Sequence, residues 1–241
     1  WKGRAFGEVR CHPERLDDPM HWRKPALVFA NSMSELCHPD VPNDFIDEVF
    51  MTMGANHWHT YMILTKRPSR MRDYCRVREE HYRPSVISPN VWLGVSVEDQ
   101  KTADERIPLL LKTPAMVRFV SCEPLLGAVN LTYIKWAKIP IDPKDYTFGA
   151  PAPDEMWSMR DALLHRPGDE YNKPLVGVDW VICGGESGPG ARPMHPDWVR
   201  GLRDQCQVAD VPFFLKQMFV DGKLVKLPEL DGETWKEYPN A

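Results

Sequence analysis

VDWVICGGESGPGARPMHPDWV, residues 178–199, carries three local signals in a row. WVIC is a short apolar run with β-branched and aromatic members. GGESGPG is a glycine-rich turn with one carboxylate, Glu186. HPDWVRGLRDQCQVA (195–209) then sets Trp198, Val199, Leu202 and Cys206 on one side of a helix, with Asp197 near its start. Strand, turn and helix in that order make one βα unit. The turn lacks the Lys-Ser/Thr ending of a Walker loop and the GxGxxG spacing of a dinucleotide site, so it is a weak phosphate motif. Two readings stand. In one, the glycines let a ligand lie against backbone while Glu186 points inward. In the other, the turn is structural and Glu186 pairs with Arg192. We take the first as the expectation.

The same unit recurs outward along the chain. Apolar runs lie at ALVFANS (26–32), YMILTKRP (61–68), VWLGVSVED (91–99), VRFVSCEPL (117–125), WVICGGES (180–187) and PFFLKQM (212–218). They are apolar throughout rather than alternating, which suits parallel strands covered on both faces. Helical patterns separate them at 42–56, 68–81, 99–112 and 195–209. Asn43 or Asp44 could cap the first of these and Gly54 could end it. Pro68 suits a first helical position, the acids near 99 suit a helix start, and Pro108 is expected to break the third helix or begin a new one. The exception is 126–178, rich in proline and aromatics, which reads as an insertion or lid. The result is an α/β fold of mainly parallel strands, in a single domain over 1–241.

The bulk composition narrows the function. The chain has 241 residues, 43% of them hydrophobic, and a net charge of -4. That supports one sizeable core and gives no generic nucleic-acid footprint, although it leaves room for a local basic groove. No stretch is long enough to span a membrane, and with no signal peptide visible the expected location is cytoplasmic. The six cysteines are scattered without a CxxC pair, which fits neither a disulfide framework nor a metal site. Cys11-His12 and Cys37-His38 are adjacent pairs that rarely close one tetrahedral site. No GxSxG is present for a hydrolase nucleophile. The chain opens on Trp1 rather than Met, which suggests that residues precede it.

Every strand run ends in polar groups: Asn31 and Ser32; Thr65, Lys66 and Arg67; Ser96, Glu98 and Asp99; Ser121 and Glu123; Glu186; Lys216 and Gln217. In a parallel sheet or barrel these ends share one face, where ligands bind. The mixed signs point to a zwitterionic or multi-part ligand.

Several blocks together resemble the phage Gp37/Gp68 family: HPERLDDPMHWRKPALVFANSMSELCHPDVP, MILTKRPSRM, PNVWLGVSVEDQKTADERIPLLLKTPA, VRFVSCEPLLG, DWVICGGESGPGARPMHPDWVRGLRDQCQ, VPFFLKQ and LDGETWKEYP. They run in order over nearly the whole chain except the 130–175 insertion. That family is similar to radical S-adenosylmethionine (SAM) enzymes. The resemblance implies a partial TIM-type (β/α) barrel with the insertion before its sixth strand. It also implies SAM and a [4Fe–4S] cluster as cofactors, the cluster held by three cysteines upstream of the residues given. The cluster ligands are absent from this chain, so the chain alone is expected to be inactive; no metal ligand is assigned within it. By strand position, Asn31, Ser32, Ser96, Glu98, Ser121, Glu123 and Glu186 would hold SAM. Lys66, Arg67 and Lys216 would face the substrate or the SAM carboxylate. The expected activity is formation of a 5′-deoxyadenosyl radical that modifies an unknown substrate, with a nucleic-acid base preferred by analogy. The alternative is a non-catalytic barrel that binds a nucleotide, nucleic acid or protein, with Tyr133, Trp136 and Trp157 as contacts or, more simply, as packing.

Overall fold

The computed structural model describes residues 8–31, 34–81, 87–139, 156–165 and 176–240. Ser32 lies outside them, as does much of the 126–178 insertion. The parallel strands are β1 (Leu27–Phe29), β2 (Thr60–Thr65), β3 (Val91–Ser96), β4 (Arg118–Cys122), β7 (Trp180–Gly184) and β8 (Phe213–Val220). They pair side by side in that order, and β9 (Lys223–Lys226) adds antiparallel to β8. Helices α1 (Asn43–Ala55), α2 (Pro68–His81), α3 (Gln100–Leu110) and α4 (Pro196–Val208) fall between successive strands.

Side-chain alternation explains the architecture. Tyr61, Ile63, Leu93, Val95, Val120, Cys122, Val181, Cys183, Phe213 and Leu215 face one side of the sheet. Against them pack Ile46 and Phe50 of α1, Met71 and Cys75 of α2, Ala103 and Ile107 of α3, and Val199, Leu202 and Cys206 of α4. All four helices therefore lie on one face. The opposite face carries Met62, Trp92, Phe119, Trp180 and Ile182, with Phe214 beside them. A doubly wound sheet would reverse its strand order and place helices on both faces. A sheet wound in one direction with helices on one side must curl to bury its other face. The observed form is a curled, mostly parallel seven-stranded half-barrel. Edges β1 and β9 do not meet, so a closed TIM barrel is not what these residues form.

Aromatic rings fill the inner face. Trp180 meets Trp92 edge-on at 5.9 Å, Phe214 at 6.0 Å and Tyr238 at 5.4 Å. Gly94 belongs to this packing, because a Cβ there would stand 2.4 Å from the Phe119 ring.

Three local expectations need correction. Pro108 neither breaks α3 nor starts a helix; it is buried two residues before the helix ends, and core packing holds that last turn although the Asp104 carbonyl loses its helical donor. Asn43 and Asp44 do not cap α1, whose N-cap is Pro42 without a side-chain bond. β1 is not covered on both faces: Leu27 and Phe29 are exposed, since an edge strand has a neighbour on one side only. The acid expected at the start of α3 does cap it. Asp99 accepts from the Thr102 N–H at 2.8 Å, in a reciprocal capping box.

The chain leaves the main sheet between β4 and β7. There β5 (Ile134–Ile139) and β6 (Met156–Arg160) pair antiparallel in their own small sheet. β5 rests on α3, with Lys135 3.8 Å from Asp104. Trp136 packs against the core with Lys112 and Arg160 over its ring, which accounts for it as packing. Tyr133 is exposed. Among the described residues, no helix is long and apolar enough to cross a membrane.

Candidate functional site

Parallel pairing brings the polar strand ends to one rim, at the carboxyl ends of β1 to β8. Asn31 follows β1 and is buried. Its amide donates to the Leu64 carbonyl at 2.7 Å, and its carbonyl accepts from the Leu64 N–H at 3.3 Å. It therefore extends the β1–β2 ladder by one side chain. Ser34 and Glu35 come next. Glu35 accepts from the Thr65 hydroxyl at 2.7 Å, the Lys66 N–H at 3.0 Å and the Cys37 N–H at 3.0 Å, and lies 3.7 Å from the Arg67 guanidinium. One carboxylate thus sets the backbone from which Lys66 and Arg67 project.

Lys66 Nζ reaches across to Glu98 Oε1 at 2.6 Å. Arg106, from α3, donates to Glu98 Oε2 at 2.8 Å and to the Ser96 carbonyl at 2.8 Å. Despite the close Lys66 charge, Glu98 Oε1 is a buried acceptor without an aligned donor. Ser96 and Ser121 are buried beneath the rim. The Ser121 hydroxyl is 3.4 Å from Glu123, a long contact. Glu123 pairs with Lys216 from β8 at 3.1 Å. Gly184 makes room for this pair.

Glu186 does not stand free. It accepts three bonds from Arg192, from Nε at 2.9 Å, Nη2 at 2.8 Å and the backbone N–H at 2.8 Å. That is the structural alternative for the opening turn. The Arg192 bonds hold the carboxyl down to about 2. The glycines at 188 and 190 have positive φ, as this tight turn requires.

The rim is therefore four carboxylates, Glu35, Glu98, Glu123 and Glu186, each met by a cation, which for Glu186 comes from the same loop and for the others from another segment. The strand-end residues Lys66, Arg67, Glu98, Glu123 and Lys216 were legible from strand endings. Glu35 and Arg106 were not. Glu35 sits mid-loop with no periodic signal, and Arg106 lies on a helix whose facing only the fold decides.

A match to a family described as "Protein of unknown function (DUF5131)" spans residues 2–239. The chain belongs to this family. No match to a curated protein or to a solved structure was found.

A metal centre needs clustered donors. Among the described residues, no group of three or more His, Cys, Asp or Glu could hold a metal ion. Cys37, Cys75, Cys122, Cys183 and Cys206 are buried. Desolvation raises every one of these thiols, Cys37 and Cys206 to about 12. With no such donor group among the described residues, these cysteines do not fit an iron–sulfur cluster.

Proposed function

We propose that this chain forms the barrel-type body of a radical SAM-type enzyme related to the phage Gp37/Gp68 proteins, and that its carboxyl-end rim binds SAM. One observation supports this reading above the others. Glu98, Glu123 and Glu186 follow the ends of the neighbouring strands β3, β4 and β7 in a half-barrel whose helices all lie on the outer face. SAM carries an amino group, a carboxylate, a sulfonium and ribose hydroxyls, so its site needs donors and acceptors of both signs. The rim residues fit that ligand. Glu98 Oε1 is a recessed acceptor awaiting an aligned donor, and the Glu123 carboxylate is its neighbour across the strand gap. Lys66 and Lys216 supply ammonium groups suited to a carboxylate.

The described residues do not fit the cluster that such an enzyme requires, and no chemical step is assigned to them. Their role in this reading is to bind and orient SAM, since the cofactor carries the hard chemistry.

The test has two parts. The chain as given is titrated with SAM by calorimetry, where measurable binding that weakens about tenfold in Glu98→Gln is expected; a loss of one charge-assisted bond is worth about that much. The full-length gene product, prepared without oxygen, is then assayed for iron and for 5′-deoxyadenosine. Absence of SAM binding in the first part, or of 5′-deoxyadenosine after cluster reconstitution in the second, would overturn the enzyme reading. The rim would then be that of a non-catalytic binding module.

A further inference from the structure

The ion pairs of the rim share a polarity. In Lys66–Glu98, Arg67–Glu35, Arg192–Glu186 and Lys216–Glu123 the cation is the outer partner. Its side chain is 43–57% exposed, against 13–29% for the carboxylate. Elsewhere the order is mixed. Arg72–Asp73 and Arg203–Asp204 bury the cation and expose the acid, whereas Lys135–Asp104 and Arg15–Asp18 keep the cation outside. Water screens the exposed halves of such pairs, but an incoming ligand meets those halves first. A chain with net charge -4 thus turns four cations outward on the one face where its strand ends converge.

Their placement sets the ligand's size. Lys66 and Arg67 follow β2, Arg192 follows β7, and Lys216 lies on β8. Four strand steps separate β2 from β8. At about 4.8 Å per step that is roughly 19 Å along the sheet, shortened somewhat by the curl. A mononucleotide is too short to reach both ends, whereas a chain of phosphates is not. Aromatic surface lies at the same edge. His195, the N-cap residue of α4, lies tilted at 45° to Trp198 with ring centres 6.0 Å apart, and its ring is solvent-exposed. Cations that follow a backbone, together with an exposed ring for a base, are the two elements of single-strand recognition.

We propose that the rim cations Lys66, Arg67, Arg192 and Lys216 form a binding track for single-stranded nucleic acid several nucleotides long. This rests on the reading that the rim is a ligand site, and it names the class of substrate brought there. The ring carboxylates behind the cations position them and keep the free protein from carrying unpaired charge.

The probe is a fluorescein-labelled single-stranded oligonucleotide of about 12 nucleotides, within the usual range of such sites, followed by anisotropy over a salt series. Binding that weakens steeply with salt is expected. Each cation removed should lower the log–log slope by about 0.7. The double variant Lys66→Gln/Lys216→Gln should lose affinity at least tenfold, while Lys24→Gln, exposed before the amino end of β1 and so opposite the rim, changes nothing. Circular dichroism establishes that each variant is folded, and Arg192→Gln serves as an independent variant outside the strands. Salt-insensitive binding, equal affinity in the rim variants, or equal competition by polyglutamate would overturn the assignment. The same preparations are titrated with SAM. SAM binding without oligonucleotide binding defeats this inference alone. Oligonucleotide binding without SAM binding defeats the enzyme reading alone.

Discussion

Glu123 and Gly184 sit at the ends of adjacent strands so closely that a Cβ on Gly184 would stand 2.7 Å from the Glu123 carboxylate oxygen. The last residue of β7 therefore has no side chain because a neighbour's carboxylate occupies the space.

Gly184→Ala is expected to displace Glu123 and break its 3.1 Å pair with Lys216. The cost of such overpacking is about 1–3 kcal/mol. Urea denaturation should show a lower midpoint with an unchanged slope. An unaltered midpoint would mean that Glu123 moves aside freely and is not held where the rim needs it.

The Glu186–Arg192 fork makes a pH prediction. Glu186 titrates near 2 when folded, against about 4.3 for a free glutamate. A lowered folded value means that the pair's stabilisation is fully present above about pH 5 and is lost as pH falls toward 2. A carboxyl NMR titration should place the Glu186 midpoint near 2, and Arg192→Gln should return it toward the ordinary range. A midpoint near 4 in the unaltered chain would show that the fork is not populated in solution.

α1 and α2 are locked by Asp47, which accepts from the Tyr74 hydroxyl and from Arg78 at 2.8 and 2.6 Å. Arg78 also lies over the Tyr74 ring. Asp47→Asn removes the charge while keeping the shape. It should destabilise the fold by about 1–3 kcal/mol, the range for hydrogen bonds to charged groups. A thermal melt identical to the parent's would mean that the lock contributes nothing.

Burial and raised pKa values make five of the six thiols unreactive. Cys11 is the partly exposed one. Brief alkylation at neutral pH, read by peptide mass spectrometry, should label Cys11 first. Early labelling of Cys122 or Cys183 would show that the layer between sheet and helices opens readily.

The helices and parallel strands were legible because their signals are local. Pro68 marks the start of α2, and a run such as YMILT is apolar on both sides because helices cover one face and aromatic rings the other. The two C-terminal hairpins carried the strongest local signals of all, Asp221-Gly222 and Asp231-Gly232, both with positive φ. The rule that a proline ends a helix fails at Pro108 because its burial in the core holds the last turn of α3 despite the lost hydrogen bond.

The sequence by itself determined which residues end the strands, and therefore which polar groups gather at one rim. Periodicity is a property of neighbours along the chain, and parallel pairing follows from it. Only the tertiary structure decided how those groups are used. It turned Glu186 onto Arg192, brought Arg106 from α3 to Glu98, and placed Glu35 under the base of Lys66 and Arg67. It also faced the cations outward. Those partners lie six to some thirty residues apart, and their meeting depends on the curl of the sheet and the facing of each helix, which no short stretch of sequence encodes.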